Sequence, residues 1–564
     1  MSFVALSLFL GIIFYIAEIS LGRNKTLQSI MIFSFLIVFI GWIGIRNPVV
    51  LWGLRICILL FLFGCVYHLQ PKKRLIFALL KSAYMIVLGI VSALLPQRFL
   101  FNLFAAGYDN SSHIGFLYRT WKIGTYEYGS QGNGKIVPAY INLANGYPSL
   151  QMESWATILR GFSLPIKNTE NLLRYFFFFS ALSIILLLYA LYHYVDGKLG
   201  ERTLLKIGIT GFVIFSSISS LYWEGFPPTV WGIVFSLLAL QVIVSSNSKP
   251  NYQLVLVAIS TVVVLYSYQL FSPAFVILYV YLFLKRIKTR KTKVDYLYLL
   301  LSIVLVITPS CLLFSVSKAI RSYVYSPGGI AHPNILLVLA IGALVSAGFL
   351  FSKKKSEENR IFIIALVVNG LVSVYLLGTA YIYKKGMYYP TKSLYLSIFL
   401  SILYIVWNVG NQKNIVEKYF SRFRALSLLV MFLFACIPWI STKGQVWAGN
   451  TVDLIRSEKI IQTGSYPPFP TGCLQSVFSS VTKPENFDQQ NHLIVVKVDL
   501  GGSDLVSRWA NSLNGRVDNE VIEMGMNLGS SSDFNSALAK FRKSQPSQDI
   551  IGLYTLRGCS RVSD

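Results

Sequence analysis

The sequence is poor in charge. Only 13% of its 564 residues are Asp, Glu, Lys or Arg, against about 25% in a soluble globular chain. Acidic residues are the scarcest: 24 Asp and Glu stand against 50 Lys and Arg, a formal net charge of +26. There are 5 histidines and 6 cysteines, and no CxxC or Cys/His spacing that would build a metal site. Cys57, Cys65, Cys311 and Cys436 fall inside apolar runs and read as ordinary helix residues. What is abundant is apolar: 54% of the residues are hydrophobic and the mean hydropathy is +0.58. Upstream of residue 442 no soluble core of any size can be assembled, because the apolar residues cluster into runs that a water-facing surface could not cover.

A membrane-crossing helix needs about 20 apolar residues. Candidate spans fall at 2–21, 29–45, 49–68, 75–95, 172–194, 204–222, 229–246, 252–267, 271–286, 295–315, 334–352, 361–382, 393–410 and 425–441, about 14 by that length criterion. The expected fold is an all-α polytopic membrane domain over 1–441. The first span lacks a basic leading region and an A-x-A site, so it reads as a helix and not as a signal peptide.

A strongly basic chain suggests nucleic acid as a partner. The placement of the charge excludes that reading. Alternate loops carry Arg23/Lys25, Lys72–Arg74, Lys198/Arg202/Lys206, Lys249, Lys285–Lys291, Lys353–Lys355 and Lys413/Lys418/Arg422/Arg424. The intervening short loops hold only Arg46, Lys318, Arg321, Lys384, Lys385 and Lys392. Lys and Arg are retained on the cytoplasmic side of short loops. The alternation therefore places both termini and the segment 96–171 outside a cytoplasmic (inner) membrane. Membrane lipid is the implied partner.

Two polar regions interrupt the apolar pattern. Residues 96–171 form a long outer loop. Residues 442–564 form an extracytoplasmic tail of domain size, with strand-like alternation at His492–Leu500 and Ile550–Leu556 and amphipathic patterns at Asp504–Leu513 and Asp533–Arg542. This predicts a small α/β domain. Cys473 and Cys559 would both face an oxidising space, and a disulfide closing the domain and two free thiols are both compatible with the sequence.

The outer loop carries the chemistry-bearing residues. It reads FNLFAAGYDNSSHIGFLYRTWKIGTYEYG and later NGYPSLQMESWATILRG. Asp109 and His113 are four residues apart, which puts them on one face of a helix. Ile114, Leu117, Tyr118 and Trp121 form an apolar stripe, so the helix is expected to lie in the lipid interface. A carboxylate at that depth can act as a general base on a sugar hydroxyl, with His113 orienting it. The local sequence is equally that of a helix start, with Asp109, Asn110, Ser111 and Ser112 as rival caps.

The Asp-x-x-x-His of GYDNSSHIGF, followed by the Tyr-Pro and Trp of NGYPSLQMESWATIL, resembles the first outer loop of GT-C membrane glycosyltransferases. It is similar to the bacterial arabinofuranosyltransferase type. The resemblance covers that loop, the helix count and the outer tail. It implies transfer of a sugar from a polyprenyl-phosphate donor to a cell-envelope glycan or lipid-linked acceptor, with Asp109 as the catalytic base. It also implies that outer cations hold the donor's phosphate. The candidates are Lys384, Lys385 and Lys392 with Tyr388 and Tyr389 in YKKGMYYPTK, Arg321 with Lys318 and His332, and Arg119 with Lys122. Some members pair their first-loop acid with a second one. Here Asp109 has no adjacent acid, and Glu153 and Glu224 are supporting acids at a distance, as is Glu127. No cofactor is called for, and a divalent metal is not indicated, since phosphate is a good leaving group once cations meet its charge.

Other motifs carry little. GSQGNGK (Gly129–Lys135) has P-loop spacing, but Ile136 replaces the required hydroxyl residue. Glu18 and Arg55 lie inside spans, where charge is costly; they would pair with each other or sit near a helix end. An O-antigen-type polymerase or ligase would carry its large loop late in the chain, led by Arg and His. A transporter or flippase would show an internal repeat, and none is evident.

Overall fold

The structure is a computed structural model. It describes residues 3–43, 47–67, 108–123, 150–199, 227–245, 250–289, 292–314, 357–384 and 388–411. In the tail it describes 487–488, 492–498, 507, 510–515, 528, 533–544 and 549–556.

Helices dominate. In chain order they are α1 (Phe3–Leu21), α2 (Arg23–Ile43), α3 (Pro48–Tyr67), α4 (Tyr108–Ile123), α5 (Leu150–Gly161) and α6 (Thr169–Leu199). They continue with α7 (Pro227–Ser245), α8 (Pro250–Ser267), α9 (Ser272–Thr289), α10 (Lys293–Phe314), α11 (Glu357–Ile382) and α12 (Tyr388–Asn411). Within lipid every backbone polar group must be satisfied inside its own segment, which selects helices for these runs. The ends are set locally. Asn47 accepts a bond from the Val49 amide (3.0 Å) just ahead of Pro48, a cap followed by proline in the first turn. Asn168 caps α6 through the Asn171 amide (2.8 Å). Thr292 and Asp295 bond each other's amides reciprocally at the start of α10. Gly22 lies between α1 and α2 at φ +76°, a left-handed position that ends a helix and favours glycine.

Seven helices among the described residues are long and apolar enough to cross a membrane, and Leu8–Leu21, Asn24–Ile40 and Asn251–Ser267 are shorter apolar helices. The protein is membrane-embedded. Ten of the expected spans coincide with these helices; those at 75–95, 204–222, 334–352 and 425–441 lie outside the described residues. Helix α8 runs through the centre, packed by α2, α7, α9 and α10, and its Leu254, Val257, Val262 and Val264 are buried. At the periphery, Leu59 of α3 is 64% exposed and Val374 of α11 is 70% exposed, with Leu297, Leu300 and Val304 of α10 alongside them. Patches of that kind are unusual in water and ordinary against acyl chains.

Between Ser267 and α9 the chain makes one 3₁₀ turn, Gln269–Phe271. The candidate spans 252–267 and 271–286 are therefore two helices joined by a tight turn. In the tail, β1 (His492–Val498) and β2 (Asp549–Leu556) pair in parallel, with α13 (Phe534–Ser544) between them in sequence. Leu493, Val495, Leu528 and Phe541 form a small core there. Cys473 and Cys559 lie outside the described residues.

The two ends of the bundle are held by different contacts. At one end Lys285 of α9 pairs with Glu357 of α11 (2.5 Å), Arg286 bonds Gln253 of α8 (3.3 Å), and Tyr252 of α8 bonds Gln28 of α2 (3.4 Å). Asn251 bonds Asp295 at the same end. The start of α2, the start of α8, the end of α9 and the starts of α10 and α11 are thus gathered. The charge alternation assigns all five to one side.

Candidate functional site

The opposite end gathers the residues singled out by chemistry. Helix α4 begins at Tyr108, so Asp109 falls in its first turn. At 3.6 residues per turn, Asp109, His113, Phe116 and Thr120 lie on one stripe. Gly115, Tyr118 and Lys122 lie on the other side of the helix. That other side is taken by the tail: Lys122 pairs with Asp488, Tyr118 meets Phe487 edge-on at 5.2 Å, and Gly115 sits against Ser512. Gly515, at φ +72°, lies so close that a Cβ there would be 2.8 Å from the Tyr118 ring. Thr169 of α6 donates to the Leu513 carbonyl (3.0 Å). Burial, then the Asp488 hydrogen bond and charge, push the Tyr118 hydroxyl well above the usual tyrosine range.

This corrects one expectation. Of the expected lipid-facing stripe, Ile114, Leu117 and Tyr118 are buried against protein, and Trp121 is half-buried. An amphipathic pattern reports an apolar cover without saying whether that cover is lipid or protein. His113, Phe116 and Thr120 are also buried: His113 is 1% exposed, its ring 6.1 Å from Phe116.

Helix α5 packs alongside α4. Its Arg160 donates to the backbone carbonyls of Trp121 and Lys122 (3.0 Å for the second), closing the C-terminus of α4 with a cation. Arg55 of α3 bonds the Gly161 carbonyl (2.8 Å) and Ser163 (2.9 Å) and lies over Trp52. That arginine, inside a span, serves the end of α5, a contact 106 residues away in sequence. Glu153 of α5 and Arg119 of α4 are both buried, at 1% and 4% exposure, and both have interaction partners in the fold.

A run of aromatic contacts joins α5 to the far end of the chain. Trp155 stacks on Phe179 of α6 (5.4 Å, 14°) and meets Trp231 of α7 edge-on at 6.2 Å. Next to Trp231, Gly232 admits no side chain, because a Cβ would be 2.5 Å from the Cβ of Tyr268. Tyr268 in turn lies 5.9 Å beneath the Lys392 ammonium of α12, which is also 5.3 Å from the Tyr389 ring. Lys392 is buried and has further partners. The starts of α6, α7 and α12 and the end of α8 therefore meet α4 and α5 at one place.

The YKKGMYYPTK turn divides in two. Lys384 ends the segment after α11, exposed and at φ +49°, whereas Lys392 is buried on α12 among aromatic rings. Tyr388 opens α12 and Tyr389 is half-buried. Lys122 is engaged by the tail. Lys385, Arg321, Lys318, His332, Glu127 and Glu224 lie outside the described residues, and so does Gly129–Lys135. Among the described residues no three His, Cys, Asp or Glu side chains gather as metal ligands. Sequence reasoning missed Arg160, Trp231 and the Tyr118–Asp488 contact. Only Trp155 had a signal, as the tryptophan of the YP…W pattern.

No protein-family model matches the chain, no curated protein matches it, and no solved structure matches it.

Proposed function

We propose that the chain is a membrane glycosyltransferase that moves a sugar from a polyprenyl-phosphate donor to a cell-envelope glycan or lipid-linked acceptor on the outer face of the cytoplasmic membrane. The observation that carries this reading is the gathering of buried ionisable groups, His113, Arg119, Glu153 and Lys392, at helix ends that the basic-loop alternation assigns to the outside. Ionisable groups buried in a membrane protein are costly and mark sites of chemistry.

In this reading Asp109 takes the proton from an acceptor hydroxyl. The acceptor oxygen attacks the anomeric carbon, the bond from that carbon to the phosphate oxygen breaks, and polyprenyl phosphate leaves with inversion at the sugar. His113, one turn on, orients the carboxylate. Lys392 offsets the charge that develops on the leaving phosphate, in surroundings where water is excluded and a cation acts strongly. Lys384, Lys385, Tyr388, Arg321 and Arg119 remain candidates for the same anion, and Glu153 and Glu224 for supporting roles. The tail is outside in this topology, with both termini.

The test is donor turnover by the full chain in proteoliposomes, using a panel of polyprenyl-phosphoryl pentoses and hexoses with a glycan acceptor. Asp109→Asn should lower the rate about 10²- to 10⁴-fold, the usual share of a general base, with the melting temperature unchanged. An equal rate in the variant, or no panel donor consumed by the wild type, counts against the reading.

A further inference from the structure

We infer that Gln151, Ser154 and Trp155 of α5, with Thr229 and Trp231 of α7, form a recognition site for a polyhydroxylated ligand, the sugar ring of the donor. This rests on the transferase reading above and adds the part of the site that reads the sugar.

Both amide atoms of Gln151, Oγ of Ser154, Nε1 of Trp155, Oγ1 of Thr229 and Nε1 of Trp231 are buried and have no hydrogen-bond partner. Gln151, Trp155 and Thr229 are 0% exposed, Ser154 is 4% and Trp231 is 5%. Native structures leave few buried polar groups unsatisfied, because each forfeits its hydration without return. Here five such side chains sit on two helices whose tryptophans touch at 6.2 Å.

The chemistry of the set defines what would complete it. It offers an amide donor and acceptor, two hydroxyls that do both, and two indole donors. It contains no charge, so it does not suit a phosphate or a metal ion. A sugar ring presents alternating hydroxyls, each donor and acceptor, beside C–H faces that pack on aromatic rings. The position fits as well. Trp231 adjoins Gly232, Gly232 abuts Tyr268, and Tyr268 lies under Lys392. One run of contacts thus links the neutral polar set to the buried cation, in the order that sugar and phosphate have in a donor.

The experiment measures binding to the full chain in nanodiscs. The probes are undecaprenyl phosphate and a panel of polyprenyl-phosphoryl sugars, read by tryptophan fluorescence and by melting temperature. The wild type should bind one of the sugar lipids more tightly than the bare lipid phosphate. Gln151→Leu and Thr229→Val should each remove that preference, a loss of about tenfold. Both should leave affinity for undecaprenyl phosphate and the melting temperature unchanged or raised, since they delete groups without partners. A lowered melting temperature in both variants would mean that these groups hold structural water, and it overturns the inference. So does an unchanged sugar preference, while binding of the bare lipid phosphate keeps the donor reading intact. Failure of the wild type to bind any of the lipids overturns the donor reading itself and this inference with it.

Discussion

At the residue scale, the site depends on a few side chains whose surroundings differ sharply from what their position in the sequence suggests. Lys384 and Lys392 belong to one short basic motif, yet one is exposed and the other is enclosed by Tyr268 and Tyr389. Burial was not legible in the motif, because it is set by α8 and the 3₁₀ turn, more than 100 residues upstream. Tyr118 supports a prediction about pH. Its hydroxyl is held well above the usual tyrosine range, by burial first and by Asp488 second. A group whose folded pKa is raised contributes stability that is fully present below its unfolded value, about 10 for tyrosine. That contribution is lost as pH rises above about 10. Proteolytic release of the tail should therefore accelerate above about pH 10 in the wild type. In Tyr118→Phe the pH dependence should flatten. Limited proteolysis across pH 8 to 11 checks this, and an identical steep profile in the variant would mean that another group sets the pH dependence.

At the element scale, the apolar runs were readily legible. The span expected at 252–267 is α8, and that at 229–246 is α7 with its first turn advanced to the Pro227-Pro228 pair. Length and hydropathy suffice for such segments because lipid leaves the backbone one main solution. Helix α4 was legible as a helix but not as to its cover, since the tail residues that bury it lie more than 360 positions away. Packing between elements was not legible at all where it depends on close approach. Gly232 is the sharpest case: a single methyl group would overlap the Cβ of Tyr268. Gly232→Ala should push the 3₁₀ turn away from α7 and cost about 1–3 kcal/mol, the usual range for overpacking. A fall in melting temperature of the purified protein checks it, and an unchanged value would mean that the turn is not pressed on α7. A second device holds Lys392 in place. Asn369 of α11 bonds Ser397 of α12 (2.7 Å), and Ser373 bonds Ser393 and Ser397 (both 2.8 Å). Such polar links between membrane helices contribute about 0.6–2 kcal/mol each, and these fix the rotation of α12 next to Lys392.

At the scale of the whole molecule, the chain sorts its contacts by end. An ion pair, Lys285–Glu357, and the side-chain hydrogen bonds Arg286–Gln253 and Tyr252–Gln28 gather the ends next to basic loops. Aromatic rings, buried ionisable groups and the docked tail gather the others. The charge alternation along the sequence assigns the first set of ends to one side by a local rule about short loops. It could not foretell that the tail would pack on Gly115, Tyr118 and Lys122 of α4. On the proposed function, this second end is one site for a lipid-linked phosphate. The most direct measurement is photocrosslinking of the full chain in nanodiscs with a diazirine-bearing polyprenyl phosphate, followed by peptide mapping. Adducts are expected on α12 around Lys392 and on α4, competed by unlabelled lipid phosphate and largely lost in Lys392→Met. Adducts confined to the end marked by Lys285 and Arg286, or labelling indifferent to Lys392→Met, would contradict it.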